Sequence, residues 1–139
     1  MIYVDTSVLV ALFLKESKSA EIIQWYSHCT ADMISATWCV TEFASALSLK
    51  QRARQITAEQ KHIAWQQFER LCAHDLQLIP LEPKTFHHAS LLILENISGL
   101  RAGDALHLAA AIEAKAKKIA TLDTLLAKNA QQLKMKCIF

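Results

Sequence analysis

Glycine and proline are scarce in this sequence, with only two of each in 139 residues. Few positions therefore offer the backbone conformations that long loops and tight turns require, and we expect short connections. No internal repeat, low-complexity tract or linker is visible. Together with the length, these absences predict a single domain over residues 1–139 that can bury one core without disulfide bonds.

Cysteine motifs and long apolar runs are missing too. The four cysteines include no Cys-x-x-Cys pair and no zinc-like spacing with the six histidines. Small buried hydrophobic residues are therefore their simplest interpretation. The longest apolar run, Val8–Leu14, is far below the roughly 18 residues that indicate a membrane span. Free thiols without a secretory signal predict a cytoplasmic protein.

Predicted strands and helices alternate along the chain. The strands are predicted at 2–4, 33–36, 78–81, 118–122 and 136–139. A first helix is predicted to follow Thr6 or Ser7, with Val8, Leu9, Leu12 and Phe13 as its apolar face, and further helices at 19–28, 37–52, 57–74, 83–95, 104–117 and 124–130. This alternation predicts an α/β fold with three layers, in which helices cover both faces of a mainly parallel sheet of about five strands. The two helices between 37 and 74 have no strand between them and should form a hairpin beside the sheet.

Four acidic residues occupy positions where an acid is hard to explain structurally. They are Asp5, Glu42, Asp104 and Asp123. Two of them follow predicted strands, one opens a predicted helix, and the glutamate lies in an apolar helical stretch. Helix capping is the alternative for the aspartates, and a solvated side chain is the alternative for Glu42. Thr6 and Ser7 can already cap the first helix, so we expect a second role for Asp5.

The spacing of these acids points to a metal site. Each lies close to a strand end or a helix start, where open α/β folds build ligand sites. Four carboxylates gathered at one sheet edge would repel each other, and a divalent cation would remove that cost. Hard cations such as Mg²⁺ prefer oxygen ligands. The net charge of +2 neither requires nor excludes nucleic acid, but a bound cation would make this edge attract anions.

The same segments resemble a known family. Ile2–Ser7, Glu42, Leu100–Ala109 and Thr121–Asp123 are similar to the PIN domain, and more closely to the compact VapC-type toxins of bacterial toxin–antitoxin pairs. The resemblance covers nearly the whole chain, and Leu100–Ala109 is its most specific part. One departure is Gly103, where the family commonly has a proline; we interpret this as a change in loop stiffness.

The resemblance implies an activity, a cofactor and partners. Family members are Mg²⁺- or Mn²⁺-dependent ribonucleases held inactive by a cognate antitoxin, here of the VapB type. Asp5, Asp104 and Asp123 would hold one or two metal ions, with Glu42 as a further ligand or a support. The cation would activate a water for attack on an RNA phosphodiester. These four acids are the predicted catalytic residues.

Other residues have weaker assignments. Thr6 and Ser7 can contact a carboxylate or phosphate, and Arg101 can clamp a phosphate, since the only two glycines flank it. For His107 we favour a buried, hydrogen-bonded side chain over a general base. The cluster of Lys50, Arg52 and Arg54 can follow RNA, although a solvated helix end is the commoner explanation.

Two sets of side chains have structural interpretations. Three lysines, Lys115, Lys117 and Lys118, are interpreted as favourable charges at a helix C-terminus. A group of apolar residues is mostly assigned to the core, although a groove for an antitoxin helix or a homodimer interface can use the same elements. Its members are Ile22, Ile23, Trp25, Tyr26, Trp38, Trp65 and Phe68.

Different function classes stay open beside the nuclease. An aspartyl phosphatase would want an acid two residues after the first, where Ser7 stands, and a receiver domain would want paired acids near the first strand. Both are disfavoured. A catalytically silent binding module, with the acids serving as caps, and a non-toxin RNA-processing nuclease are the remaining alternatives.

Overall fold

A parallel sheet of five strands forms the centre of the computed structural model, which describes residues 1–95 and 99–139. The strands are β1 (Ile2–Val4), β2 (Met33–Ala36), β3 (Leu76–Ile79), β4 (Lys118–Ala120) and β5 (Lys136–Ile138). Their order is β3-β2-β1-β4-β5, and every neighbouring pair is parallel. The predicted α/β fold with a parallel five-stranded sheet is confirmed.

Helices cover both faces of this sheet. They are α1 (Thr6–Phe13), α2 (Ser19–His28), α3 (Trp38–Arg52), α4 (Ala58–His74), α5 (Pro83–Glu95), α6 (Ala102–Glu113) and α7 (Thr124–Gln132). Within the described ranges, none of these helices is long and apolar enough to cross a membrane.

Two separate hydrophobic cores lie on the two faces because successive strand residues point in opposite directions. Ile2 and Val4 face the core that α1–α4 cover, where the rings of Phe43 and Phe68 stack at 4.2 Å. Tyr3 faces the other core, which α5–α7 cover. The α3–α4 pair is the predicted hairpin beside the sheet.

Several predicted boundaries are wrong. Strand β3 begins at Leu76 and ends before Pro80, because proline has no N–H to continue the ladder with β2. Helix α6 begins at Ala102, two residues before its predicted start, and ends at Glu113, four residues before its predicted end at 117. The start of α4 is as expected: Thr57 and Gln60 form a reciprocal capping box.

The strand order places β1 and β4 side by side at the middle of the sheet. Tyr3 pairs with Ile119 and Val4 with Ala120. The Asp5 N–H extends this ladder by donating to the Ala120 carbonyl at 2.9 Å. The chain passes from β1 to β2 on one side of β1, whereas β4 pairs with the other side. This change of direction is the topological switch point, where α/β sheets form ligand sites.

Candidate active site

The carboxyl edge of β1 holds a group of three side chains, called here the inner group, in which Asp5 and His107 are buried and Glu42 is half-buried. His107 Nε2 lies 3.5 Å from Asp5 Oδ1 and hydrogen-bonds to Glu42 Oε1. Each residue has one atom that could ligate a metal ion, and these three atoms lie within 4.8 Å of one another. The three residues come from the end of β1, from α3 and from α6, so tertiary folding alone brings them together.

Hydroxyl groups fix the two carboxylates of the inner group. Asp5 Oδ2 accepts from Ser7 Oγ at 2.6 Å and from Thr121 Oγ1 at 2.9 Å. Glu42 Oε1 accepts from Thr6 Oγ1 at 2.7 Å. Thr6 and Ser7 thus orient carboxylates, which is one of the contacts predicted for them.

Asp5 has the two roles that its position suggests. It is the N-cap of α1, since Oδ2 also accepts from the Ser7 N–H at 3.4 Å, while Oδ1 faces His107. The expectation that Thr6 or Ser7 caps this helix is therefore wrong. The Ser7 hydroxyl instead donates to Asp5 and accepts from the Leu122 N–H at 2.9 Å.

His107 is fully buried, as expected, and its second ring nitrogen contacts Tyr3. The distance from Tyr3 Oη to His107 Nδ1 is 2.7 Å, and the Ala36 N–H donates to the same phenol oxygen at 3.1 Å. Burial raises the pKa of Tyr3, so its phenol stays protonated. Glu42 Oε1 is a carboxylate oxygen that can only accept, so Nε2 is a protonated ring nitrogen that donates to it.

Charge pairing dominates the electrostatics of the inner group. Burial acts to lower the pKa of His107, but the hydrogen bond to Glu42 and the charge of Asp5 overcome it, and the pKa is raised. Burial acts to raise the pKa of Glu42, but the bond from His107 overcomes it, and this pKa is lowered. Both shifts favour the charged form of each partner.

Asp104, Asp123 and Arg101 form a second, more exposed cluster, called here the outer group. Arg101 Nε donates to Asp104 Oδ2 at 3.2 Å, and its terminal nitrogen donates to Asp123 Oδ2 at 3.0 Å. The Arg101 side chain is 70% exposed. Asp123 is also the N-cap of α7, because Oδ1 accepts from the Leu126 N–H at 2.9 Å.

Asp104 connects the outer group to the inner one electrostatically. It lies in the first turn of α6 and does not cap it. Burial, the charge of Asp123 and, more weakly, that of Asp5 raise the pKa of Asp104, while Arg101 opposes them. The charge of Asp104 in turn helps to raise the pKa of His107. The four predicted acids thus converge on one edge of the sheet, in two groups.

Comparison with known protein families identifies the domain. The family model of the PIN domain matches residues 2–132. The chain belongs to the PIN domain family. A search of curated protein sequences gives no significant match.

Several solved structures share this fold at low sequence identity. The VapC20 toxin of Mycobacterium tuberculosis, which cleaves the sarcin–ricin loop, superposes with a TM-score of 0.76 at 14% identity, covering 92% of this chain and 94% of that one. FitAB bound to an IR36 DNA fragment gives 0.72 at 18% identity, covering 99% and 94%. FitAcB from Neisseria gonorrhoeae gives a TM-score of 0.68 at 16% identity, covering 100% of this chain and 97% of that one.

Gly103, the departure from the usual PIN pattern, lies in the first turn of α6 and not in a loop. A Cβ at this position would lie 3.2 Å from both Glu42 Oε2 and Trp38 Nε1. The interpretation as a change in loop stiffness is therefore incomplete, because the missing side chain makes room for Glu42 and Trp38. The positive φ that favours glycine occurs instead at Gly99, at 77°.

The remaining basic candidates have different surroundings. Lys50 forms an ion pair with Glu16, and Arg52 donates to the Ser48 hydroxyl at 2.6 Å. Arg54 lies two residues beyond the end of α3, with a φ of 60°. Two of the three residues in this predicted cluster are thus engaged within the protein.

Sequence reasoning misses three contributors to the PIN site, Tyr3, Thr121 and Trp38. From the sequence, Tyr3 can be identified only as part of a strand, because its hydrogen-bond partner His107 is 104 positions away. Thr121 lies just beyond β4, and its hydroxyl contacts Asp5 across 116 positions. Nothing in the local sequence distinguishes such a residue from an ordinary member of the core.

Proposed function

We propose that this PIN-domain chain is a metal-dependent endoribonuclease and the toxin of a toxin–antitoxin pair. The observation that carries the proposal is the convergence of four carboxylates, from four separated segments, at the switch point of a PIN fold. Two of these carboxylates are held beside a fully buried histidine. A purely structural cap needs neither this convergence nor the buried partner.

The inner group fits a divalent cation, with Mg²⁺ as the proposed ion and Mn²⁺ as the alternative. Asp5 Oδ1 and Glu42 Oε1 offer hard oxygen ligands within the 4.8 Å span that one ion can bridge. Asp104 and Asp123 would complete the set once Arg101 releases them. A bound cation would supply a water of lowered pKa and would offset charge on the scissile phosphodiester.

The chain's own residues would prepare this site. Thr6, Ser7 and Thr121 orient the carboxylates through hydrogen bonds of 2.6–2.9 Å, so little reorganisation is needed on binding. Arg101 is mostly exposed, and once displaced from Asp104 and Asp123 it would reach the RNA phosphate as a clamp. This role requires the side chain to leave the contacts that it makes in the structure.

The toxin role and the antitoxin partner rest on the protein relatives and on one apolar groove. FitAB is by its description a complex, and VapC20 is by its description a toxin. In this chain a cavity of about 490 Å³ lies between α1, α2 and α4, with Phe13, Ile23 and Leu71 in its wall. An amphipathic antitoxin helix of the VapB type suits such a groove. We also propose a cytoplasmic homodimer as the working unit.

Cleavage of RNA by the purified chain tests the proposal. Total cellular RNA is incubated with wild type in Mn²⁺, in Mg²⁺ and in EDTA, with Asp5→Asn alongside. We expect cleavage that needs the metal and is lost in the variant. Co-expression with the gene adjacent to this one, scored by growth rescue, separates a toxin from an RNA-processing nuclease.

A catalytically silent PIN module is the second candidate, and one observation favours it. Asp5 and Asp123 are N-caps, and Arg101 neutralises the outer carboxylates without a metal. Titration calorimetry with Mn²⁺ distinguishes the two candidates. Saturable binding that Asp5→Asn or Asp104→Asn removes supports the nuclease, whereas no binding by folded wild type supports the silent module.

A further inference from the structure

Five lysines gather at the amino-terminal edge of the sheet, on the side opposite the acidic site. This lysine patch comprises Lys115, Lys117, Lys118, Lys134 and Lys136. Lys118 and Lys136 begin β4 and β5 and are register partners. The Lys136 N–H donates to the Lys117 carbonyl at 2.9 Å, and the other two lysines end the helices that lead into these strands. The fold, and not the sequence alone, assembles the patch.

No ion pair within the described part of the chain neutralises the lysine patch, although the exposed Asp32 lies at the same edge of the sheet. All five side chains are exposed, and none forms an ion pair with another described residue. Glu113, the nearest acid in the sequence, is engaged elsewhere: it accepts from Thr85 Oγ1 at 2.7 Å and from His88 Nδ1 at 3.0 Å. Like charges directly opposite each other on neighbouring strands, as at Lys118 and Lys136, destabilise a sheet.

Helix capping explains only part of this cluster. Lys115 and Lys134 have φ values of 60° and 62° and lie at the C-terminal ends of α6 and α7, where a cation suits the helix dipole. The interpretation of Lys117 and Lys118 in the same terms is wrong, because α6 ends at Glu113. Three of the five lysines therefore have no role in ending a helix.

The surface here is concave. A cavity of about 340 Å³ opens at this edge, and Lys115, Lys117 and Lys118 supply its charged wall. Several ammonium groups around one hollow favour a ligand with repeated anionic groups. Lysine binds phosphate as a point charge without reading sequence, which suits a nucleic-acid backbone.

We propose that the lysine patch binds the phosphodiester backbone of single-stranded RNA, as a second contact for the substrate of the acidic site. This inference rests on the proposed ribonuclease function. A three-residue strand spans only about 10 Å, and β5 is an edge strand. One RNA molecule passing beside β5 would therefore be able to reach both edges of the sheet.

Neutralising the strand lysines tests the patch. The patch variant carries Lys117→Gln, Lys118→Gln and Lys136→Gln. A control variant with the same change in net charge carries Lys15→Gln, Lys84→Gln and Lys128→Gln, three exposed lysines spread over the surface. Fluorescence anisotropy measures binding of a labelled single-stranded RNA of about 20 nucleotides in EDTA, over a range of salt concentrations.

We expect the patch variant to lose on the order of tenfold in affinity, and its salt dependence to fall by about 0.7 in slope for each phosphate contact removed. The control variant should change far less. The Tm of the patch variant should not fall, because the substitutions remove repulsion. Equal affinity losses in both variants, or none in the patch variant, would overturn the proposal, as would tighter binding of a protein or lipid vesicle than of RNA.

Cleavage assays separate this inference from the function on which it depends. If wild type does not cleave RNA with Mn²⁺, the ribonuclease proposal fails whatever the patch does. If wild type cleaves and the patch variant has an unchanged KM, the ribonuclease proposal stands and the patch inference fails. A KM raised about tenfold with kcat preserved supports both.

Discussion

The inner and outer groups bring carboxylates together by different means. In the inner group, a buried histidine and the hydroxyls of Thr6, Ser7 and Thr121 hold Asp5 and Glu42. In the outer group, one exposed arginine bridges two aspartates. The inner geometry is built into the packed core, whereas the outer geometry depends on a side chain that can leave. The difference suggests that the inner group defines the cation site and the outer group admits the ligand.

Replacing Asp5 by Asn should have the largest effect on activity. Asparagine caps a helix about as well as aspartate, so α1 should keep its stability while the ligand oxygen facing His107 loses its charge. We expect cleavage to fall by about two to three orders of magnitude, the typical effect of losing a strong electrostatic contact in a reaction site. Wild-type activity in a folded Asp5→Asn protein would contradict the inner group as the cation site.

Replacing His107 by Ala should have the largest effect on stability. The change leaves the buried Tyr3 hydroxyl without its side-chain partner and removes the bond from His107 to the half-buried Glu42, and an unsatisfied buried group costs about 1–3 kcal/mol. Urea unfolding measures the free energy. Arg101→Ala, the matched change in the outer group, should lower it by much less, because Arg101 is 70% exposed. Equal losses in the two variants would show that the groups do not differ in rigidity.

Replacing Gly103 by Ala should crowd Glu42, a member of the inner group. The new methyl group would lie within 3.2 Å of Glu42 Oε2 and Trp38 Nε1, so one of them must move. A carboxylate displaced by a fraction of an ångström should lower kcat by on the order of tenfold, with little change in Tm because alanine favours helix over glycine. Trp38→Phe combined with Gly103→Ala should restore part of kcat if crowding is the cause.

Replacing Arg101 by Ala should separate metal binding from substrate binding. Without the arginine, Asp104 and Asp123 repel each other more strongly, and Mn²⁺ affinity measured by calorimetry should rise a few-fold. RNA affinity should fall if the side chain clamps phosphate. Arg101→Lys keeps the charge but loses the bidentate contact, so its Mn²⁺ and RNA affinities should lie between those of wild type and Arg101→Ala. A loss of Mn²⁺ affinity in Arg101→Ala would contradict release of Arg101 on metal binding.

The sequence predicts the layout of the fold but not the pairing within the site. Strand β2 and helices α2 and α3 match their predicted ranges to within one residue, because their hydrophobic patterns are local. The four acids stand out because each follows a strand or interrupts an apolar stretch. Their division into two groups depends on contacts between residues 65 and 22 positions apart, such as His107 with Glu42 and Arg101 with Asp123, and no local pattern encodes these.

Replacing Glu113 should have the smallest effect of these changes. It serves as a control, because Glu113 lies at the end of α6 away from both groups. Burial acts to raise the pKa of Glu113, but hydrogen bonds from Thr85 and His88 lower it below its ordinary value of 4.5. The charged form therefore stabilises the fold above that value, and the contribution is lost as pH falls through the lower folded pKa.

Glu113→Gln should reduce the free energy of unfolding by less than about 1 kcal/mol at pH 7, since the carboxylate is partly exposed. The difference from wild type should shrink as the pH falls below 4.5 and through the lowered folded pKa, as followed by urea unfolding at each pH. Cleavage should be unchanged, because Asp104 and His107 lie in the first half of α6 and have their own partners. A loss of cleavage without a loss of stability would mean that the α5–α6 contact sets the geometry of the acidic site.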